Sequence, residues 1–246
     1  GDFYIPGAPT EYKDMQRVYR PLTFGKVAVW LDHPLIKDEL VLKRIMQYQH
    51  SSGGVFNYIG DDPSHVEEQT SIGTLNTSFF GHLMIALDIK DRAIMAGDWL
   101  CRFTQANRKY MSEQGLIYTN MTPIGELITD IELGERISHV VDNQLPKQEF
   151  WHPGTVMAYL AVIYEKFLED WNYSENEAQK YLDNAFILLD FEATMPLYTY
   201  LWPSKCKVGW GAGELLRVLV KYGKGKEEQL DKAYRIAKNV AIFTFM

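Results

Sequence analysis

The feature that most constrains the fold of this sequence is a pattern that recurs three times: an amphipathic helix, a loop marked by glycine, and an apolar helix. The first copy pairs a predicted helix at 35–49 with one at 70–88. The second pairs residues 99–107 with the helix opened by His152-Pro153-Gly154-Thr155. The third pairs residues 181–191 with the helix opened by Gly209-Trp210-Gly211-Ala212-Gly213. Repeated helix pairs of this size are typical of a solenoid or of a ring closed on itself. In a ring, the loops before the inner helices meet at one mouth, which is where we expect the chemistry.

Length and composition fit a single domain over residues 1–246. The chain is 46% hydrophobic, so we expect it to fold around a large core. From the repeated helix pairs we expect an all-α toroid, or an incomplete, open toroid, of helical hairpins. Residues 1–33 are expected to be irregular because prolines interrupt them. Residues 112–150 are expected to be an insertion, with a small β-hairpin formed by 115–120 and 125–129 and then a long loop. The pattern contains too few helices for a closed ring. The ring is therefore open, or a second chain or another copy completes it, or the sequence is a piece of something longer.

Local signals mark the ends of the later helices. Pro153 suits the first position of a helix that is predicted to run to about residue 168. Ser174 and Glu177 have the spacing of a capping box, and Gly223 follows an apolar run as a helix C-cap does.

The net charge and the cysteine content limit the classes of partner and cofactor that we expect for the chain. The net charge is −7 and no long basic run is present, so we expect a small-molecule substrate and no nucleic acid. Cys101 and Cys206 lack the spacing of a metal site or a redox pair, and we predict no metal and no cofactor. No apolar run is long enough for a membrane span. No leader pattern opens the chain, although a start at Gly1 is also what a cleaved leader leaves, and cytoplasm is the expected location.

Two short motifs give the sequence a resemblance to the (α/α) toroid enzymes from Leu35 onward. The segment from Gln49 to Phe56 resembles the Gln…Gly-x-aromatic turn of terpenoid cyclase and protein prenyltransferase toroids. The Gly209-Trp210-Gly211-Ala212-Gly213 segment is similar to the Trp-Gly-x-Gly entry of six-hairpin glycosidases, near which unsaturated glucuronyl hydrolases and N-acylglucosamine epimerases belong. Asp61-Asp62-Pro63 matches the Asp-x-Asp-Asp acid of squalene–hopene-type cyclases only in part, and the prenyltransferase zinc set has no match. The resemblance therefore implies a fold and transfers no catalytic residues.

The strongest candidate site joins the loop at 138–143 to the segment at 149–153. His152 precedes a helix, where the helix dipole lowers an imidazole pKa and favours bound anions, so a neutral His152 is expected to act as general base. Asp142 is expected to orient it or act as its acid partner. His139 is a further catalytic candidate, and Glu149 is a candidate for substrate binding. The same residues also suit a purely structural role as helix caps.

Further candidates lie at the other predicted mouths. Cys206 stands between Lys205 and Lys207, an environment that favours a reactive thiolate, while an unreactive loop thiol is the alternative. Asp61 is a candidate acid, or simply one of several acidic residues that suit a helix start. Aromatic or buried side chains that we expect either to line a cavity or to pack the core are Tyr58, His82, Trp151, Trp202 and Trp210.

Three functions remain open at this point. The first is an acid/base lyase, isomerase or cyclase, independent of metals, that acts on an apolar, terpenoid- or polyketide-like substrate in an aromatic-lined cavity. The second is a hydrolase, lyase or epimerase on a uronate or amino sugar, which predicts two carboxylates roughly 5–9 Å apart with Arg or Lys beside them. The third is a non-catalytic helical repeat scaffold, which predicts a filled centre and a large exposed apolar surface.

Overall fold

Helices account for most of the residues that the computed structural model describes, which are 15–60, 71–131, 139–201 and 205–245. The α-helices in these ranges are α1 (Tyr19–Trp30), α2 (Glu39–Met46), α3 (Thr74–Ala86), α4 (Lys90–Gln114), α5 (Trp151–Glu169), α6 (Glu175–Ala193), α7 (Lys205–Tyr222) and α8 (Glu227–Phe245). Two short 3-10 helices span Pro34–Lys37 and Leu197–Leu201. The mainly helical prediction is therefore confirmed, with short strands added to it.

The strands form three antiparallel pairs in the described part of the chain. They are β1 (Met15–Arg17), β2 (Tyr58–Gly60), β3 (Ile72–Gly73), β4 (Leu116–Tyr118), β5 (Asn120–Met121) and β6 (Val140–Asp142). Strand β1 pairs with β2, β3 with β5, and β4 with β6. The β3–β5 pair joins the residues just before α3 to the strand that follows β4. The β4–β6 pair joins the strand just after α4 to residues 140–142.

The predicted hairpin between 115–120 and 125–129 forms only in its last part. A turn closes where the N–H of Thr122 donates to the carbonyl of Glu126 (2.8 Å), and Met121 and Leu127 make a single bridge. The β4 strand pairs instead with β6, which lies in the segment expected to be a loop, with Ile117 opposite Val141. Both of these side chains are fully buried, so the longer-range pairing places them in the core.

Two boundaries at the N-terminal end differ from the prediction. The helix expected at 35–49 is divided, because Asp38 has an extended backbone and its carboxylate caps α2 by accepting the N–H groups of Leu40 and Val41. Residues 1–33 were expected to be irregular, yet α1 lies within them. Pro21 is in the first turn of α1, where the missing N–H needs no partner and the proline therefore does not break the helix.

Two of the expected signals at the later helices are confirmed, whereas Pro153 is the third residue of α5, which begins at Trp151, rather than the first. Ser174 and Glu177 form the capping box that starts α6, with the hydroxyl accepting the N–H of Glu177 and the carboxylate accepting the N–H of Ser174. Gly223 ends α7 with a left-handed φ of 62°, a conformation that glycine adopts without steric cost.

The helices pack in two layers whose order follows the chain. In the first layer α1 packs on α3, α3 on α5, and α5 on α7; in the second layer α4 packs on α6, and α6 on α8. Successive helices alternate between the layers, so α3 packs on α4, α5 on α6 and α7 on α8. Helices α3 and α5 are buried on most sides, as their nearly continuous apolar character predicts.

Helices α5 and α7 approach until their backbones touch. A Cβ on Gly154 would lie 2.4 Å from the carbonyl oxygen of Lys207, and a Cβ on Gly211 would lie 2.3 Å from the carbonyl oxygen of Gly154. Only glycine fits at either position. Because His152 lies two residues before Gly154 and Lys207 is itself part of this contact, the crossing fixes both residues relative to each other.

The Gln49–Phe56 turn, which carries the first resemblance, has a structural role. The side-chain amide of Gln49 donates to the carbonyl of Gly53 (2.9 Å) and to that of Arg92 on α4 (3.0 Å). Gly53 has a φ of 97° and no room for a Cβ. The motif therefore anchors the loop before α3 to the second layer.

Candidate functional site

The N-terminal parts of the four first-layer helices meet around one lysine. The ammonium of Lys207 on α7 lies over the rings of Tyr19 on α1 (5.6 Å), Phe79 on α3 (5.5 Å) and Trp151 on α5 (5.6 Å to the centroid). We call these four residues the lysine–aromatic cluster. Each of its members comes from a different helix, so the cluster depends on the packing of the whole layer.

A histidine and its two partners lie directly beside this cluster. The Nδ1 of His152 lies 2.8 Å from Oγ1 of Thr74, the first residue of α3, and its Nε2 lies 3.3 Å from Oε2 of Glu149. An ionised carboxylate only accepts, so Nε2 carries the proton, and Nδ1 accepts the hydroxyl proton of Thr74. The imidazole is thus held in one orientation and one tautomer.

The environment of His152 keeps its imidazole neutral. Burial lowers the pKa of His152, and the hydrogen bond with Glu149 and the charge of Glu149 oppose that effect. The charges of His139 and Lys207 lower the pKa further. His152 is the second residue of α5 rather than a residue before the helix, and burial is the main cause of its lowered pKa.

An amide network connects this site to the strands. The Nδ2 of Asn57 donates to the Oδ1 of Asn120 (2.9 Å), while its Oδ1 accepts the Nδ2 of Asn76 (3.0 Å). Asn120 Nδ2 lies 3.1 Å from Nδ1 of His139. The network places His139 on the β5 side of the site, where its charge acts on His152 without direct contact.

A second group of rings continues the aromatic wall from Phe79 toward α1. The rings of Phe79 and Trp210 are 6.3 Å apart, and His82 stacks on Trp210 at 5.0 Å. Burial and the charge of Lys26 hold the pKa of His82 well below its usual value, and in the described part of the chain its Nε2 has no hydrogen-bond partner. The ammonium of Lys26 lies 5.3 Å from the Trp210 ring, and burial lowers its pKa.

The structure brings together part of the predicted set. His152, Glu149 and Trp151 are in direct contact or adjacent, Trp210 and His82 follow along the same wall, and His139 acts through its charge. Tyr58 lies on β2, opposite Arg17 in the β1–β2 ladder. Asp61 and Trp202 lie outside the described residues.

Two predicted catalytic residues have other surroundings. The carboxylate within reach of His152 is that of Glu149, whereas the Oδ1 of Asp142 accepts the N–H of Gln144 in the turn after β6. Asp142 is therefore not the residue that orients His152. Cys206 is exposed on α7, and the lysines beside it face other groups. Lys205 Nζ donates to the carbonyl of Phe243 (2.5 Å) on α8, and Lys207 belongs to the cluster.

Sequence reasoning missed Thr74, Tyr19 and Phe79, and it considered Lys207 only as a neighbour of Cys206. One signal for Thr74 was available. The first half of α3 carries polar residues that are all buried (Thr74, Asn76, Thr77 and Ser78), although the helix is otherwise apolar. Polar side chains on a fully buried helix need partners, and they indicate a network nearby. No local signal places Lys207 over three rings, because those rings come from three distant segments.

The described residues do not place three or more His, Cys, Asp or Glu side chains where they would hold a metal ion. Within the same ranges, no helix combines the length and the apolar character needed to cross a bilayer. Comparisons of the chain with models of known protein families, with curated proteins and with solved structures find no match.

Proposed function

We propose that this chain carries an acid/base active site, of a lyase, isomerase or cyclase type, for a substrate with an apolar body. The observation that supports it best is the Glu149–His152 pair: a buried, neutral imidazole, fixed in one tautomer, at the edge of an aromatic wall. A carboxylate that a neutral imidazole holds in one orientation is suited to proton abstraction at neutral pH. The lysine–aromatic cluster supplies the apolar contact surface beside it.

The exposures of the two partners suggest their roles. The side chain of Glu149 is 23% exposed and that of His152 only 9%. Glu149 is thus the member that a substrate reaches, and we infer that its carboxylate takes the proton from carbon and holds it, while the Nε2–H of His152 donates to that carboxylate and orients it. The electron pair of the C–H bond remains on the substrate. Return of the proton to another position completes an isomerisation, and loss of a leaving group completes an elimination.

The lysines favour this chemistry over carbocation cyclisation. Enzymes that cyclise polyenes through carbocations are expected to offer aromatic ring faces to the cation. Here an ammonium lies over three rings of the cluster, and Lys26 lies over the rings of Trp30 and Trp210. A carbocation at this wall would meet like charges, whereas the anion left by proton abstraction would meet opposite ones.

We also infer that the two layers are an arc of an (α/α) toroid. Helices α1, α3, α5 and α7 would be the inner helices, and α4, α6 and α8 the outer ones. The alternation of the layers in chain order supports this, as does the meeting of the inner helices near their N-terminal ends. We therefore propose an open toroid, the second of the two forms that the sequence pattern predicts.

Specific observations favour each of the two alternatives. Lys207 and Glu149 suit a lyase or epimerase acting on a sugar acid, because a lysine and a carboxylate lie at one mouth. The exposed apolar side chains of α1, Phe24, Trp30 and Leu31, favour the non-catalytic scaffold, which needs a surface for a partner.

Deuterium exchange tests the proposed chemistry. The protein is incubated in D2O with a panel of unsaturated and cyclic carboxylic acids, terpenoid alcohols and uronates, and loss of C–H signals is followed by NMR. We expect exchange into at least one class, reduced by about 10²–10⁴-fold in His152→Gln. Equal rates in both proteins, or no exchange with any compound, would contradict the active site and favour the scaffold.

A further inference from the structure

The ammonium of Lys207 has an unusual set of neighbours for a half-buried lysine. It contacts three aromatic rings, and no acceptor within the described ranges of the chain bonds to it. Several other lysines of the described helices pair with carboxylates, as Lys232 does with Asp190 and Glu228. Ring faces replace only part of the interactions that an ammonium makes with water.

A second donor on the same cluster also lacks a partner. The indole Nε1 of Trp151 is buried and has no hydrogen-bond acceptor among the residues that the structure describes. Lys207 lies over this same ring, so one charged donor and one neutral donor occur together without an acceptor. An anionic oxygen is the group that accepts from both.

We propose that Lys207 is the anchor for a carboxylate of the substrate, so that the substrate class is an apolar or cyclic carboxylic acid. This inference rests on the proposed function, since it assigns one end of the molecule on which Glu149 and His152 act. A carboxylate matches the single positive charge of Lys207 and leaves the apolar body of the substrate against Tyr19, Phe79 and Trp151. A phosphate would bring a second negative charge with no second cation in the cluster to meet it.

The position of His152 makes this assignment chemically useful. Lys207 is close enough for its charge to act on the imidazole, and the α5–α7 crossing fixes the spacing of the two residues. A carboxylate held at Lys207 presents the carbon next to it toward the Glu149–His152 pair. When the carboxylate is paired with an ammonium, a proton on that carbon is easier to remove, because the ammonium stabilises the negative charge that develops.

Ligand titration by NMR tests the anchor without any turnover. Phenylacetate is the probe and phenylacetamide is its neutral counterpart, and the signals observed are the indole N–H of Trp151 and the Hε1 of His152. We expect saturable shifts with phenylacetate, affinity about tenfold to a hundredfold lower for phenylacetamide, and an upward shift of the His152 pKa when phenylacetate is bound.

Matched variants locate the binding. Lys207→Met is expected to lose the preference for phenylacetate, and Lys207→Arg to keep most of it. Lys205→Met, which removes a lysine two residues away whose ammonium bonds to the Phe243 carbonyl, is expected to bind as the native protein does. Circular dichroism confirms that each variant is folded before it is compared.

The outcomes separate this inference from the proposed function. Equal binding of the two probes, unchanged binding in Lys207→Met, or no binding of phenylacetate at any concentration would overturn the carboxylate anchor. His152→Gln is expected to bind phenylacetate and to lose deuterium exchange. Deuterium exchange without carboxylate-selective binding would contradict the role of Lys207 and still support the acid/base site. Carboxylate-selective binding without deuterium exchange would support the role of Lys207 and contradict the acid/base site.

Discussion

The carbonyl oxygen of Gly154 on α5 occupies the position that a side chain of Gly211 on α7 would need, 2.3 Å from its Cβ. Gly211→Ala is therefore expected to separate the two helices and to lower the free energy of unfolding by about 2–4 kcal/mol. Denaturant unfolding followed by circular dichroism measures this change.

Gly213 provides the control for that substitution. It lies two residues further along α7, and a Cβ there would contact nothing within 4 Å. Gly213→Ala is expected to stabilise the protein by about 0.5–1 kcal/mol, because alanine has the higher helix propensity. Similar losses in both variants would show that backbone contact at Gly211 is not what matters.

The hydroxyl of Thr74 sets the tautomer of His152. Thr74→Val removes the donor to Nδ1, so the proton of the imidazole is expected to redistribute between its nitrogens, and deuterium exchange is expected to fall by about tenfold. Nitrogen NMR of the imidazole reports the tautomer directly. Thr104→Val is the control, since Thr104 is also buried in a helix and bonds only to the Leu100 carbonyl. Thr104→Val should lower the free energy of unfolding by a similar amount, about 1 kcal/mol, and leave the rate of deuterium exchange unchanged.

Acid is expected to destabilise the fold through its buried histidines. The pKa values of His82 and His152 are lowered by burial, so the unfolded chain takes up protons near pH 6.5 that the native imidazoles do not accept. The free energy of unfolding therefore falls as the pH decreases below about 6.5, by up to about 1.4 kcal/mol per pH unit for each histidine. Urea denaturation at a series of pH values measures this slope.

His82→Phe keeps a ring between Trp210 and Tyr159 and should reduce that slope by about one proton's contribution. His33→Asn is the comparison, because His33 is exposed and asparagine also caps the helix at Pro34–Lys37. A slope unchanged by His82→Phe would contradict the assignment of this effect to a buried neutral imidazole.

Glu192 should act on stability in the opposite direction. It is fully buried near the end of α6, neither carboxylate oxygen has a hydrogen-bond partner within the described ranges, and burial raises its pKa well above 4.5. The stability of the protonated form is fully present below about pH 4.5 and is lost as the pH rises through the native pKa. Glu192→Gln is therefore expected to gain stability over the native protein between pH 4.5 and 7, by roughly 1–3 kcal/mol at most.

Glu165 offers a control of opposite sign. Arg217 and Lys221 bind its carboxylate, and the hydrogen bond from Arg217 is the main reason that its pKa is lowered to about 2. Glu165→Gln is expected to lose stability at neutral pH, and that loss should vanish as the pH falls toward 2. Parallel pH profiles for Glu192→Gln and Glu165→Gln would contradict both assignments.

Local signals predicted the local structure well. The Ser174–Glu177 capping box, Gly223 and the apolar faces of α3 and α5 are properties of short segments, so periodicity and capping rules identify them. The division of the helix at Asp38 was missed because an aspartate suits both a helix surface and a cap. The partner of β4 was missed because the hairpin turn lies closer in sequence than β6, although the buried pair Ile117–Val141 decides the pairing.

The candidate site was predicted only where it is local. His152, Glu149 and Trp151 are neighbours in sequence, and their proximity needs no tertiary knowledge. Thr74 reaches His152 from 78 positions away, and the contacts of Lys207 depend on the packing of four helices. The choice of Asp142 over Glu149 shows the same limit, since either carboxylate is near His152 in sequence and only the fold decides between them.

Each member of the lysine–aromatic cluster belongs to a different helix of one layer, and this has a consequence for how the protein acquires its chemistry. If any one of these helices is not docked, Lys207 lacks at least one of its ring contacts. The cluster is therefore complete only when all four helices have packed together. The ring contacts of Lys207 then report the completeness of the fold as much as the presence of a site.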